Sequence, residues 1–552
     1  SRRSGRRSAM SEGGTPGRIG LPGSRPQDVA LLSAIAVDDE DARSRALSRI
    51  LEEATAAVGA ADEQGAARLQ WWHRALARLA RWCPFGDVRE KCSEALARGS
   101  EGAVLECGLA TRFQVDDSDF VNFCAEDRTE VWKEIFIVGA GRINKVDLVL
   151  ATNWQLLDMH FRSMQTIMSQ DGPLPPDQRC FLAIKAAALL RCEYLVLAQE
   201  ELFLANGGDA TWLEDPSLAP AKLRSIDELN ELLSWCPWDI KADHLRVLVK
   251  NEDPSLRWSL GQLAHALIIL ATFQSLACAS FGLGVTTDPD LGVEAVSDDR
   301  TEDSLPTCFE EQDNRQIVEL LEQNLDIRME GEDSARNTAA FHEFGELGGS
   351  QKGRKLSKEQ QEELTRVMET GPVVSAVEAD RIRSRCNQAA CMSEDKAPQV
   401  KLQESEFSWE DHARLLLERH VPDMTEVISQ DYQDTLDFST GGIGNIRVHN
   451  TAPIKMAMLF YVHRLYRYAH DSFDYSKTNQ YLTLQMKVFL KKLVCFPTRI
   501  SRCDFARLTA PEHGCVLSFP DVVHMTMICF QAQRVAKLIW VTRALNDMNA
   551  KA

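Results

Sequence analysis

The chain has 552 residues, of which 26% are charged and 44% hydrophobic, and its formal net charge is −19. This length allows two or three domains with sizeable cores, and the composition is ordinary for a water-soluble protein. A nucleic-acid-binding protein needs a basic surface, so the acidic balance argues against this class and we expect no nucleic-acid partner.

Cysteine usage gives information about the compartment. Fifteen cysteines are spread from Cys83 to Cys529 without a framework of short spacings. This pattern indicates thiols in a reducing compartment and not a disulfide-stapled secreted domain. Cys386 and Cys391 lie five residues apart with no Cys or His cluster nearby, so we expect no metal site and no cofactor.

Composition and periodicity divide the chain into five segments. Residues 1–30 are rich in Gly, Pro, Ser and Arg, which predicts disorder, and residues 31–114 form an Ala-rich helical region of unknown role. Apolar residues three and four apart predict all-helical domains over residues 115–285 and 405–552. Residues 286–404 are predicted to be an acidic linker with short helices, because the first 28 residues hold ten acids and one base.

One segment within the first predicted domain is a membrane candidate. Leu263–Val285 contains no Lys, Arg, Asp or Glu and is long enough to cross a bilayer. Polar residues such as His265 and Gln274 interrupt it, and glycines end it. We therefore predict a buried core helix and no membrane span.

The stretch Arg191–Leu213, RCEYLVLAQEELFLANGGDATWL, is the most informative part of the chain. It predicts a long apolar helix that contains the thiol of Cys192 and stops at Gly207-Gly208, because a double glycine supplies the left-handed residue at a helix end. The pattern continues in KLRSIDELNELLSWCPWDIKADHLRVLVK, in WSLGQLAHALIILATFQSL, in FSWEDH and in DYSKTNQYLTLQMKVFLKKLVCFP.

Together these runs resemble the sestrin family, which are stress-induced regulators of the TOR growth-signalling kinase. The resemblance covers roughly residues 141–285 and 406–552. It implies two similar helical domains of the alkyl-hydroperoxidase-helper type. It also implies a cytoplasmic and nuclear protein that restrains TOR complex 1 during starvation and oxidative stress by binding a GATOR-type regulatory complex. In the vertebrate family, leucine releases that complex.

The resemblance also implies a redox site in the first domain. Cys192 stands at the position credited with hydroperoxide reduction, and Tyr194 matches the family's Tyr. The third position, a His in the family, is Gln199 here. A peroxidatic cysteine must become a thiolate, and an amide cannot take its proton as an imidazole can. A cysteine among Leu and Ala is also a common core residue, so three interpretations stay open: an inert core thiol, a slow redox-sensitive thiol and an efficient peroxidase.

A second implied site binds an amino acid in the C-terminal domain. Lys455 stands where the family's Arg meets the ligand carboxylate, and Asp521 where its Glu meets the ammonium. Ile454 replaces a Leu of the apolar cup, and Thr451 matches a Thr on the covering loop. The signs of charge are kept, although Lys lacks the two-pronged geometry of Arg.

Two features of this pocket depart from the family. The lid Tyr falls near Thr440, and the pocket Trp falls within Leu508–Phe519, which holds no Trp. Asp521 also has a purely structural interpretation, because Ser518 followed three residues later by an acid has the form of a capping box. Lys455 lies in the first turn of a predicted helix, where free amides favour an anion.

The implied partner surface contains Asp471, the retained acid of a family pair whose second member is Ser472 here. A lone surface acid is equally well explained as a solvated loop residue. Our leading hypothesis is a regulator that binds the GATOR-type complex, gated by an amino acid such as leucine. The alternatives are a thiol-dependent hydroperoxide reductase centred on Cys192 and a non-catalytic helical scaffold.

Overall fold

A computed structural model describes residues 26–57, 63–99, 111, 113, 129–285, 287, 402–438, 451–509 and 517–550. Across these residues the chain is helical almost throughout, which confirms the predicted all-α class. Residues 1–25 and nearly all of the predicted acidic linker lie outside the described residues.

Among the described residues, four helices precede the first predicted domain and contribute to a hydrophobic core that also contains residues of both predicted domains. They are α1 (Pro26–Ser33), α2 (Glu40–Ala57), α3 (Glu63–Trp82) and α4 (Gly86–Gly99). The start of α1 at Pro26 differs from the expected disorder up to residue 30. On α3 the buried residues Trp72, Leu76 and Leu79 follow at steps of four and three, so one face of this helix is buried.

The first predicted domain is a succession of helices joined by short turns. These helices are α5 (Thr129–Val138), α6 (Lys145–Leu150), α7 (Trp154–Met168), α8 (Pro176–Leu189), α9 (Glu193–Ala205), α10 (Thr211–Glu214), α11 (Ala221–Arg224), α12 (Asp227–Trp235), α13 (Ala242–Val249) and α14 (Leu260–Gly282). Helices α8 and α9 pack along each other. Helix α14 begins with a capping box, in which the Ser259 hydroxyl accepts from the Gln262 amide at 3.1 Å.

Helix α14 is the membrane candidate of the sequence. Among the described residues, it alone is long and apolar enough to cross a bilayer, and its apolar stretch is buried inside the protein. The prediction of a buried core helix is therefore confirmed. Its His265 is fully buried, and the ring Nε2 lies 2.9 Å from the Ile167 carbonyl oxygen, which satisfies a polar group inside the core.

The C-terminal part begins with strand β1 (Leu402–Gln403), which pairs in parallel with β2 (Tyr468–Ala469). A π-helical turn, Trp409–Ala413, leads into the remaining helices. These are α15 (Arg414–Glu418), α16 (Pro422–Asp437), α17 (Ala452–Leu465), α18 (Thr478–Tyr481), α19 (Leu484–Cys495), α20 (Arg502–Thr509) and α21 (Phe519–Ala550).

Helices α14 and α21 pack against each other in the centre of the molecule. In the middle of α21, the fully buried Arg534 donates from Nη2 to Asp431 Oδ2 on α16 at 2.9 Å and from Nη1 to Ser163 Oγ on α7 at 3.0 Å. A buried charge is costly without a partner. These contacts therefore tie α7 and α16 to α21, and helices from both predicted domains share one core.

The N-terminal helices are anchored to this core by a close backbone contact. The Arg78 guanidinium donates from Nη1 to the Gly141 carbonyl oxygen at 2.9 Å, and α1 packs on α9. Gly141 has φ of +89°, and a Cβ atom there would lie 3.1 Å from the Leu32 carbonyl oxygen. Only glycine fits this position without strain.

Candidate functional site

The predicted continuous helix is interrupted at its thiol. Helix α8 ends at Leu189 and α9 begins at Glu193, with Cys192 as the N-cap between them. The Cys192 amide donates to the Ala187 carbonyl at 3.0 Å, and Arg191 takes φ of +55°, a helix-ending turn that usually contains Gly. The placement of the thiol inside a helix was therefore wrong, because an apolar run without Gly or Pro carries no local sign of a break.

The end of α9 follows the prediction. Gly207 has φ of +80°. Its amide donates to the Leu204 carbonyl at 3.1 Å, and the Gly208 amide donates to the Phe203 carbonyl at 2.9 Å. These two bonds form a Schellman motif, which confirms the double glycine as the helix stop.

The environment of the Cys192 thiol opposes ionisation. Only 2% of the residue is exposed. Burial raises the pKa of the thiol to about 12, and Cys278 raises it further, against the lowering effect of hydrogen bonds from Leu195 and Ser280. At pH 7 a thiol with this pKa is ionised in roughly one molecule in 100,000. The thiolate is the nucleophilic form, so the fold does not activate Cys192.

Tyr194 and Gln199 face a cavity of about 300 Å³ whose lining does not include Cys192. The Tyr194 hydroxyl accepts a hydrogen bond from the Val146 amide at 3.3 Å. Gln199 is 7% exposed, and its Oε1 has no hydrogen-bond partner among the described residues. The structure thus brings Tyr194 and Gln199 to one cavity wall, of which Cys192 is not a part.

Asp147 and His160 also line this cavity, and neither was identified from the sequence. Burial raises the pKa of Asp147 to about 6, while the Asn144 side chain donates to its Oδ2 at 3.2 Å. Burial lowers the pKa of His160 to about 4, and the charge of Arg534 lowers it further. At neutral pH, His160 is uncharged and Asp147 is mostly ionised. The only sequence signal was the acid at position 147 within the apolar run VDLVLA.

Lys455, the predicted carboxylate ligand, is buried and already has oxygen partners. Its Nζ donates to the Leu436 carbonyl at 2.8 Å and to the Phe438 carbonyl, both at the C-terminal end of α16. Burial lowers its pKa, while Asp437 raises it. A cation at a helix C-terminus is favoured by the helix dipole. Lys455 therefore joins the start of α17 to the end of α16.

Asp521, the predicted ammonium ligand, forms the capping box of α21. Its Oδ2 accepts from the Ser518 amide at 2.9 Å and from the Ser518 hydroxyl at 2.6 Å, so the capping interpretation is confirmed. Lys455 and Asp521 both act on the buried ring of His524. Burial lowers the pKa of His524 to about 4, Lys455 lowers it further and Asp521 raises it. The charges of Lys455 and Asp521 thus both lie near the His524 ring.

The remaining predicted pocket residues also lie at the start of α17. Thr451 is the N-cap residue, and its carbonyl accepts from the Ile454 amide at 3.1 Å and from the Lys455 amide at 3.2 Å. Both Thr451 and Ile454 are buried. Thr440, where the lid Tyr of the family falls, lies outside the described residues, as do residues 510–516 of the segment that replaces the pocket Trp.

Asp471 lies on the surface just after β2. Its Oδ2 accepts from the Ser405 amide at 2.8 Å, and this bond lowers the pKa of the exposed carboxyl group. Asp471 therefore holds the segment that follows β1, and its charge also faces solvent. The residue is exposed.

The profile of the PA26 p53-induced protein (sestrin) family matches residues 111–549. Sestrin-3 of Mus musculus is 25% identical over 485 residues, which cover 83% of this chain and 94% of that protein. Sestrin-2 of Homo sapiens is 26% identical over 425 residues, with 74% and 85% covered. Sestrin-1 of Xenopus laevis is 24% identical over 458 residues, with 78% and 90% covered. This chain therefore belongs to the sestrin family.

Proposed function

We propose that this sestrin restrains TOR complex 1 signalling as a binding protein, through association with a GATOR-type regulatory complex. Membership of the family supports the regulatory role. The observation that favours binding over catalysis is the Cys192 thiol, which is 2% exposed and has a pKa of about 12. A buried, protonated thiol is not a nucleophile at neutral pH.

Hydroperoxide reduction would need a different arrangement around Cys192. The sulfur must lose its proton and reach the peroxide oxygen, and a nearby base normally takes that proton. Gln199 cannot act as a base, and it lies on a cavity wall that does not include the thiol. The reductase alternative therefore has less support than the binding role.

We further propose that an amino acid controls binding of the GATOR-type complex, with leucine as the first candidate. An ammonium group has three N–H donors, and Lys455 gives two of them to the carbonyls of Leu436 and Phe438. The third N–H remains for a ligand carboxylate. The ligand ammonium then competes with Ser518 for Asp521. A ligand that prefers the unbound conformer releases the partner by linkage.

Asp471 supplies a charge for the partner in this proposal. Its carboxylate is exposed and ionised, while its geometry is fixed by the Ser405 amide. Electrostatic contacts at an interface rim change the rate and specificity of association more than its strength. Reversal of this charge should therefore weaken recovery of the partner, by up to about fivefold.

The test is co-precipitation of the GATOR-type complex with the tagged chain, from cells starved of leucine and from cells resupplied with it. Asp471→Lys should lower recovery, and Asp471→Asn should have a smaller effect because it keeps an acceptor for the Ser405 amide. The matched control is Glu252→Lys, which reverses the charge of an exposed acid in the loop after α13. Melting curves of all variants establish that folding is unchanged.

Each outcome has a defined meaning. Recovery in starved cells that leucine abolishes supports both the partner and the gate. Recovery that leucine leaves unchanged supports the partner and contradicts leucine gating, which leaves the scaffold alternative. A purified chain whose melting temperature leucine raises, but not in Lys455→Met or Asp521→Asn, locates the ligand. No recovery in either condition contradicts the proposed function.

A further inference from the structure

The cavity beside α9 contains negative but no positive charge. Among the residues that line it, Asp147 is the only one with a charged side chain at neutral pH, and no Lys or Arg is present. Asp147 is 5% exposed, and its polar contacts come from the neutral Asn144. A buried carboxylate without a cation is costly, so a positive group placed beside it would be stabilised strongly.

Two further acceptors on the cavity wall lack partners. Gln199 Oε1 and His160 Nδ1 are buried and make no hydrogen bond among the described residues. Buried polar atoms in folded proteins nearly always have a partner, and leaving one unpaired is costly. Only 7% of Gln199 and 5% of His160 is exposed. Both atoms are thus available to a donor that enters the cavity.

The rest of the wall is apolar. Phe161 and Met164 of α7 and Phe273 of α14 contribute to it. The volume of about 300 Å³ is at the lower end of small-molecule sites. Aromatic faces attract cations, and thioether side chains adapt to the shape of an apolar ligand. The cavity therefore fits a small apolar body with a polar end.

We propose that this cavity binds a small molecule with an apolar body and a protonated amine, with Asp147 as its counter-ion and Gln199 as a second hydrogen-bond acceptor. His160 accepts a further hydrogen bond when its Nδ1 carries no proton. Carboxylates and phosphates are excluded, because the wall offers them one negative charge and no positive one. This site is independent of the proposed partner binding and of the Lys455 pocket.

Three probes of similar shape and different charge test the proposal on the purified full chain. Benzylamine is a cation, benzyl alcohol is neutral and benzoate is an anion. Titration calorimetry and thermal shift should show binding in the order benzylamine, benzyl alcohol, benzoate. Asp147→Asn should weaken benzylamine binding by about 10–100-fold, because a charged hydrogen bond is lost, and should leave benzyl alcohol binding nearly unchanged. Asp158→Asn, which changes a half-exposed acid on α7, is the control.

Two further measurements make the assignment specific. Gln199→Met keeps the shape of the side chain and removes the acceptor, so it should weaken benzylamine binding less than Asp147→Asn does. Benzylamine affinity should also fall as the pH decreases through about 6, since Asp147 then takes up a proton. Equal binding of all three probes, no binding of benzylamine at millimolar concentration, or unchanged affinity in Asp147→Asn would each overturn the proposal.

Discussion

Treatment of the folded protein with iodoacetamide at pH 7 should leave Cys192 unmodified long after accessible thiols have reacted. The alkylation rate follows the fraction of thiolate. With a pKa of about 12, Cys192 holds roughly three orders of magnitude less thiolate than an ordinary cysteine of pKa about 8.5. Burial adds further protection, because the reagent must also reach Sγ.

Site-resolved mass spectrometry measures this difference in a single sample. The partly exposed Cys503 is the internal reference. Both cysteines should react at similar rates after denaturation, which controls for the detection of the two peptides. Modification of Cys192 within about tenfold of Cys503 in the folded protein would refute the assigned burial and pKa, since it requires an accessible thiolate. Hydroperoxide reduction would then become the better supported function.

Three further predictions concern stability. Asp431→Ala should cost about 3–5 kcal/mol in the free energy of unfolding, because the buried Arg534 loses its carboxylate partner, and Asp431→Leu combined with Arg534→Met should restore most of it in urea titrations. Gly141→Ala should cost about 1–3 kcal/mol, because alanine must adopt a left-handed conformation against Leu32, and an unchanged melting curve would contradict this. Asp521→Ala should cost about 1 kcal/mol through loss of the capping box, and Asp521→Asn should cost less.

Those parts of the fold that could be predicted have local signals in the sequence. The double glycine at Gly207-Gly208 stops α9, and the Ser518–Asp521 pattern starts α21, because each motif satisfies backbone groups within its own few residues. The apolar length of α14 likewise predicts a core helix. Helical periodicity over the described residues was sufficient for the all-α class.

The features that could not be predicted depend on distant parts of the chain. Arg191 ends α8 with a positive φ although nothing in the apolar run indicates a break. Lys455 donates hydrogen bonds to carbonyls at the end of a different helix, and only the folded chain brings α16 and α17 into this contact. Asp147 and His160 meet at one cavity from separate helices. Spacing along the sequence does not show which residues of separate helices come into contact. The candidate site predicted from the sequence was therefore incomplete.

The pairing of α14 with α21 has a consequence for synthesis of the protein. Helix α14 is apolar on all sides, and its main partner is the last helix of the chain. A ribosome that has completed α14 must still translate the whole stretch from residue 283 to residue 550 before that partner exists. During this interval the nascent chain exposes the apolar surface of α14 that α21 later covers, and exposed apolar surface promotes aggregation. We expect chaperones to hold this sestrin until its final helix emerges, and premature stop codons anywhere before α21 to yield aggregates instead of shortened, working protein.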